Sequence, residues 1–301
     1  MANPASSSSS RSGRVLASPR ARRRLRQLGL DPRQVRGTGP LGRILEADVK
    51  AAAAAKPTAS PARPVEPAST TAASASAMRR AIAEKTTLSF ATIPHFYLRV
   101  EADVTPLLDF RREIAPAVER EAGVKPTITD FLLCAMARAL VEFPFANSIW
   151  QGDALVEIPT VDLGIVVGVE NGLLIPVLRG ADKLGLAKLA RRRSELVAAA
   201  RAGKLTAADT QGGAMSLSNL GDSPVDEFAA VIAPTQSSML SVGRAAPRPF
   251  VVGDQLAVRT TLKLCLAADH RVMDGGPAGQ MLGRIVHFLE HPTILLAPGG
   301  Q

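Results

Sequence analysis

Residues 267–276 read AADHRVMDGG. An imidazole is the side chain best suited to exchange protons near neutral pH. His270 stands where an apolar strand meets a Gly-rich turn, and a strand end is a place that presents a side chain at a surface or an interface. Asp274, four residues on, could pair with an Arg or orient the turn. The same ten residues also read as a polar strand-to-helix turn, with Asp274 capping the helix and Gly275-Gly276 permitting tight geometry. Spacing alone leaves both readings open. A second group, SLSNLG at 216–221, offers the hydroxyls of Ser216 and Ser218. Strand alternation puts both on one face and Leu217 on the other. A hydroxyl there could donate to a developing oxyanion, or it could serve only a turn before the glycine. Neither serine sits in the G-x-S-x-G elbow of a hydrolase nucleophile.

The other reactive residues offer less. His95, in IPHFYLRV, reads as a strand residue near an interface, and His287 and His291 as solvated or structural groups of the closing helix. Cys134 and Cys265 lie far apart inside apolar segments, FLLCAMA and LKLCLAA, and read as buried free thiols, which suits a reducing compartment. No His, Cys or acid groups stand at metal-ligand spacing, so no metal is expected. The loop RGTGPLGR has glycines and arginines but no preceding strand and no following Lys-Ser/Thr, which argues against a phosphate loop.

These groups must be carried by elements that the pattern outlines. Ser18-Pro19 can open a helix, with Leu25 and Leu28 as its apolar stripe and Gly29 as its end. The loop VRGTGPLGRI and a short helix, LEADVKAA, complete a unit over 14–50. Residues 1–13 are expected to be disordered. Residues 51–77 hold 12 Ala and 4 Pro and read as a disordered, semi-stiff tether. Residues 78–297 hold the rest: a first helix from Met78, a strand in ATIPHFYLRVEADV, and helices over Thr105–Glu121 and ITDFLLCAMARALVEF. VDLGIVVGVENGLLIPVL follows as two β-rich runs joined at Asn171-Gly172. An Ala/Arg helix then ends at Gly203, and its Arg191-Arg192-Arg193 run reads as a solvated face. Strands at MSLSNL, SSMLSVGR, PFVVG and LAVRTTLKLCLAA precede the closing helix AGQMLGRIVHFLE. Segregated helices and hairpin strands imply an α+β layered domain.

The net charge of +9 is confined to the start of the chain. Residues 1–56 carry 12 Lys/Arg against 3 Asp/Glu, while the remaining residues carry 24 of each sign. The excess therefore concerns the partner of the first unit. That unit has no aromatic residue to stack a base, which disfavours nucleic acid, whereas an acidic protein surface is an equally good electrostatic match. No segment reaches the ~18–20 apolar residues of a membrane span. A cytoplasmic location is expected, with a mitochondrial or plastid one if the Arg/Ser-rich start is a transit peptide.

Several ordered blocks now point one way. Residues 17–50, ASPRARRRLRQLGLDPRQVRGTGPLGRILEADVK, resemble a peripheral-subunit-binding domain, and 78–297 resemble the acyltransferase domain of the dihydrolipoamide acyltransferases of 2-oxo-acid dehydrogenase complexes. The matching blocks include IPHFYLRVEADVTPL, DLGIVVGVENGLLIPVLRGAD, GKLTAADTQGGAMSLSNLG and DHRVMDGG. The resemblance implies a chloramphenicol-acetyltransferase-like layered fold with a mixed sheet behind a small helical domain. It implies acyl transfer between dihydrolipoamide and coenzyme A, with His270 as general base, Ser218 as oxyanion donor and Asp274 as an acid that holds the turn through an ion pair. It further implies homotrimers that build a cubic or dodecahedral core, base and hydroxyl coming from neighbouring subunits. The basic unit would bind dihydrolipoamide dehydrogenase, a 2-oxo-acid decarboxylase, or both. The sole Asp-Lys pair, Asp182-Lys183, falls within the acyltransferase block, so the lipoyl group is expected in trans, from a lipoyl-domain protein. A non-catalytic scaffold of such a complex is the competing reading, and a coenzyme A acyltransferase acting on another small thiol or hydroxyl is the third.

Overall fold

The computed structural model describes residues 15–54, 76–170 and 172–296. The segments assigned above to the N-terminus and to most of the tether, and Asn171 of the expected hairpin turn, lie outside the described residues. The chain divides into two units, within 1–73 and 74–301.

In the first unit, helix α1 (Pro19–Leu28) opens as expected: the Ser18 hydroxyl accepts from Ala21 N at 3.2 Å, and Gly29 closes the helix in the left-handed region at φ 59°. Helix α2 (Glu46–Ala54) runs two residues past the expected LEADVKAA stretch, which ends at Ala52, because an alanine run has the highest helix propensity of any sequence. A core of Ala21, Leu25, Val35, Ile44 and Val49 joins the helices. Five side chains cannot hold so small a unit by burial alone, so the loop is ordered by Asp48. Its carboxylate accepts from Thr38 N (3.0 Å), Thr38 Oγ1 (2.7 Å) and Leu45 N (2.8 Å). These bonds, led by the Thr38 hydroxyl, hold its carboxyl below the usual carboxylate range. Gly37 is obligatory for the same loop: a Cβ there would lie 2.3 Å from the Gly42 carbonyl oxygen.

The second unit starts with helix α3 (Ala77–Thr92), strand β1 (His95–Asp103) and helix α4 (Thr105–Ala122). Helix α5 (Ile128–Glu142) is the central one: a capping box between Thr127 and Asp130 opens it, and 131–137 are buried without interruption. Burying each large apolar side chain of that run contributes about 1.5–3 kcal/mol. A hairpin not singled out by the sequence reading follows, β2 (Ser148–Gln151) and β3 (Ala154–Glu157), turning at Gly152 with φ 62°. The two expected β-rich runs become four short strands, β4 (Leu163–Ile165), β5 (Val167–Val169), β6 (Gly172–Leu174) and β7 (Val177–Leu178). Helix α6 (Leu186–Arg201), strands β8 (Met215–Asn219), β9 (Ser238–Val242), β10 (Ala246–Val252) and β11 (Gln255–Asp269), and helix α7 (Gly275–Glu290) complete the unit.

Seven strands form one mixed sheet in the order β1-β11-β9-β8-β4-β7, with β10 paired to β11. The strands β4, β8 and β9 are mutually parallel and the other pairs antiparallel, while β5 and β6 make a separate hairpin on either side of Asn171. Leu217, Leu240, Leu264, Leu266 and Ala268 face the helix layer and share one core with Phe131, Met136, Met281 and Phe288. On the other face Ala267 packs with Ile93 and Ile232. Both cysteines are buried free thiols, as expected. Burial pushes the Cys134 thiol up to about 12 and also raises that of Cys265.

Candidate active site

The turn that carries His270 is wound around Asp269, the last residue of β11. Asp269 N donates to Ser237 O (2.8 Å), and Val272 N and Met273 N donate back to Asp269 O. Its carboxylate, 1% exposed, accepts from Arg271 N (2.9 Å) and from the Arg271 guanidinium through Nε (3.0 Å) and Nη2 (2.7 Å). A buried carboxylate needs such partners. His270 N donates to Pro94 O (3.1 Å), so the residue just ahead of β1 fixes the backbone beneath the imidazole. The ring packs on Phe96 with centroids 4.7 Å apart, and its side chain is 53% exposed.

Asp274 takes the N-cap position of α7 without making a side-chain cap bond. Its carboxylate Oδ1 lies 3.6 Å from His270 Nδ1. The ion pair that holds the turn is Arg271–Asp269, so the structure moves the holding role expected of Asp274 to Asp269. Asp274 faces the imidazole instead.

The two serines part company. Ser216 Oγ donates to Gln236 Oε1, and a Cβ on Gly164 would fall 2.0 Å from that hydroxyl, so Ser216 is locked in place. Ser218, on the same face and 8% exposed, has no hydrogen-bond partner for its hydroxyl among the described residues. Ser218 pairs with Ser241, which pairs with Cys265, five residues before His270. Five register steps of ~3.3 Å and two strand spacings of ~4.8 Å put the Ser218 and His270 backbones about 19 Å apart in one chain.

A cleft of about 590 Å³ opens where β8 ends. Thr129, Asn219, Gly221 and three arginines, Arg111, Arg193 and Arg201, are among its lining. Asn219 Nδ2 donates to Thr129 Oγ1, Arg111 Nε to Pro126 O, and Arg193 to Asp130, while Arg201 has no hydrogen bond or ion pair among the described residues. Arg193 is thus not the solvated residue expected of its cluster: its fork reaches back to α5, and Arg191 donates to the carbonyls of Glu121 and Ala122. Sequence reasoning missed Arg111, Arg201 and Asn219 as site residues, since only the fold gathers three separate segments there.

His95 is the first residue of β1, a strand residue as expected, with Nδ1 against Ile93 O and Nε2 accepting from Ile232 N. His287 and His291 stack on each other at the end of α7. Among the described residues no group of three or more His, Cys, Asp or Glu could hold a metal, and no helix is long and apolar enough to cross a membrane. On the first unit, Arg22, Arg23, Arg26, Arg33, Arg36 and Arg43 are all exposed.

Residues 67–297 match the family described as 2-oxoacid dehydrogenases acyltransferase (catalytic domain), and residues 15–50 match the e3 binding domain. The chain is 35% identical over 284 residues to the dihydrolipoyllysine-residue acetyltransferase component of the pyruvate dehydrogenase complex of Rickettsia bellii, covering 94% of this chain and 68% of that protein. It superposes on a crystal structure of a probable dihydrolipoamide acetyltransferase from Listeria monocytogenes with a TM-score of 0.70 and 34% identity, covering 74% of this chain and 96% of the other. A structure of the Azotobacter vinelandii dihydrolipoamide acetyltransferase, studied for the role of a serine, a histidine and an asparagine in its catalytic mechanism, gives a TM-score of 0.71 at 31% identity, covering 75% and 93%.

Proposed function

The chain belongs to the acyltransferases of the 2-oxo-acid dehydrogenase complexes, with a subunit-binding module ahead of the catalytic domain, and from that premise we propose how its residues divide the work. The reaction is thioester exchange, in which an acyl group passes between a dihydrolipoyl thiol and the thiol of coenzyme A. A free thiol with a pKa near ~8.5 is mostly protonated at neutral pH, so attack needs a base. His270 is that base. The Asp274 carboxylate beside Nδ1 favours a proton on that nitrogen, leaving the Nε2 lone pair to take the thiol proton and later return it to the departing thiolate. Ser218, buried and uncommitted, donates to the oxyanion of the tetrahedral intermediate.

The observation that carries this assignment is a spacing. In the Azotobacter enzyme the studied serine stands 52 residues before the histidine and the asparagine four after it. Ser218, His270 and Asp274 stand at those same separations, with a carboxylate in place of the amide.

About 19 Å separates base from donor within one chain, far beyond the ~3 Å at which both must meet one reacting centre. The site is therefore completed by a neighbouring copy, and the chain works as a trimer. A solved relative forms the cubic core of a pyruvate dehydrogenase complex, and the same kind of higher assembly is proposed here. The cleft at the end of β8 takes the phosphates of coenzyme A, with the uncommitted Arg201 and the partly committed Arg111 as cations. Asp182-Lys183 lies in a 3-10 turn, not at a hairpin tip, so the acyl-lipoyl arm comes from outside these residues. The exposed arginines of the first unit dock dihydrolipoamide dehydrogenase through an acidic face.

The test is an assay with acyl-CoA and free dihydrolipoamide. His270→Ala should lose at least ~100-fold. Equal rates would overturn the mechanism, and inactivity of both proteins would make the chain a scaffold.

A further inference from the structure

We propose that Trp150 is a positioning residue for His270, acting through the guanidinium of Arg271. This role rests on His270 being the base. Trp150, the only tryptophan of the chain, sits on β2, in a hairpin that pairs with no strand of the main sheet. Its ring lies against the Arg271 guanidinium, 5.7 Å from Cζ to ring centroid, within the range of a cation–π contact. The guanidinium is at the same time forked onto buried Asp269. One arginine therefore ties a separate hairpin to the turn that carries the imidazole.

The hairpin is itself held firmly enough to act as a backstop. Asn147 at its base donates from Nδ2 to Ile158 O (2.7 Å) and Thr160 O (3.0 Å), and Ile158 N donates to Asn147 O (2.9 Å). The Trp150 ring also packs on the main core. By covering one face of the guanidinium, the indole keeps water from that side of the Arg271–Asp269 pair, and a charge pair shielded from water is the stronger for it. A tighter pair restricts the backbone of 269–271, and His270 is the middle residue of that stretch. Without the indole, Arg271 can swing toward solvent and the imidazole gains freedom relative to Phe96 and Asp274. A misplacement of about 1 Å in a reacting group is enough to lower a rate substantially, while substrate affinity is untouched.

The experiment uses the full chain, assayed with acyl-CoA and dihydrolipoamide, with Trp150→Ala, Trp150→Phe, Arg271→Met and the Trp150→Ala/Arg271→Met double variant. Trp150→Ala is expected to lower kcat by about 10-fold with KM for both substrates unchanged. Trp150→Phe, which keeps an aromatic face, is expected to recover most of the loss, and the double variant to be no slower than Arg271→Met alone. In Arg271→Met the emission of the sole tryptophan should shift, because its cationic neighbour is gone. Wild-type kcat in Trp150→Ala would overturn the proposal, as would a loss that Trp150→Phe does not recover or that adds fully to Arg271→Met. A parallel His270→Ala arm separates the two readings: retained activity there refutes the base assignment, whereas loss there with wild-type kcat in Trp150→Ala refutes only the positioning role.

Discussion

Ser218 and His270 cannot meet within one subunit: they lie two strands and five register steps apart on the same sheet. Mixing therefore gives a clean test. Ser218→Ala and His270→Ala are each expected to be inactive when pure. Denatured together and co-refolded at equal amounts, they should regain about a quarter of wild-type activity, the fraction of randomly formed interfaces that unite an intact serine with an intact histidine in a cyclic oligomer. No recovery in correctly assembled mixtures would place both groups in one chain's site.

The cleft at the end of β8 makes a separable prediction. Arg201→Ala should raise KM for coenzyme A about 10-fold, the order expected for one lost charge-assisted contact, and leave KM for dihydrolipoamide unchanged. Steady-state kinetics with each substrate varied in turn decides it, and an effect confined to dihydrolipoamide would assign the cleft to the other substrate.

Arg193 binds the wholly buried carboxylate of Asp130 at 2.6 Å, while its neighbour Arg192 makes an exposed contact with Glu195 at 3.1 Å. Arg193→Ala strands a buried charge and should cost about 3 kcal/mol or more of stability. Arg192→Ala should change stability by less than about 0.5 kcal/mol. Urea midpoints at one fixed protein concentration would show the contrast, and similar midpoints would refute it.

In the first unit, acid should undo what Asp48 organises. Its carboxyl is held below the ordinary carboxylate value when folded, so its contribution is present above the unfolded value and fades as pH falls through the folded one. Asp48→Asn should therefore weaken amide protection across 15–54 at neutral pH, and the gap to wild type should narrow in acid. Hydrogen exchange of the full chain, read peptide by peptide, measures this. A gap that widens in acid would reverse the assigned sign.

Docking through exposed arginines should be salt-sensitive. Affinity for dihydrolipoamide dehydrogenase is expected to fall steeply between low and physiological ionic strength, and Arg22→Ala or Arg26→Ala to flatten that slope. Binding indifferent to salt, followed by titration calorimetry, would count against an electrostatic surface.

Where one local rule decides a feature, the sequence was a good guide. Ser18-Pro19 and Gly29 bound α1, and Gly203 follows α6, each because a cap or a left-handed backbone is a property of one or two residues. Alternation also placed Ser216 and Ser218 on one face. It could not tell the locked hydroxyl from the uncommitted one, since that depends on Gln236 and Gly164 brought in from elsewhere. The fork from Arg193 to Asp130 spans 63 positions and leaves no local pattern, so a run of three arginines read as solvent-facing. The β2–β3 hairpin was missed because its strands are four residues each and β3 is wholly exposed, which leaves no apolar alternation to notice.

A protein that hands acyl groups from one thiol to another carries two thiols of its own, and both are out of the exchange. Cys134, with its thiol pushed up to about 12, holds a thiolate fraction of roughly one part in 10⁵ at neutral pH. Cys265 is wholly buried on β11, between β1 and β9. The fold thereby keeps both of the chain's own thiols from competing for an acyl group.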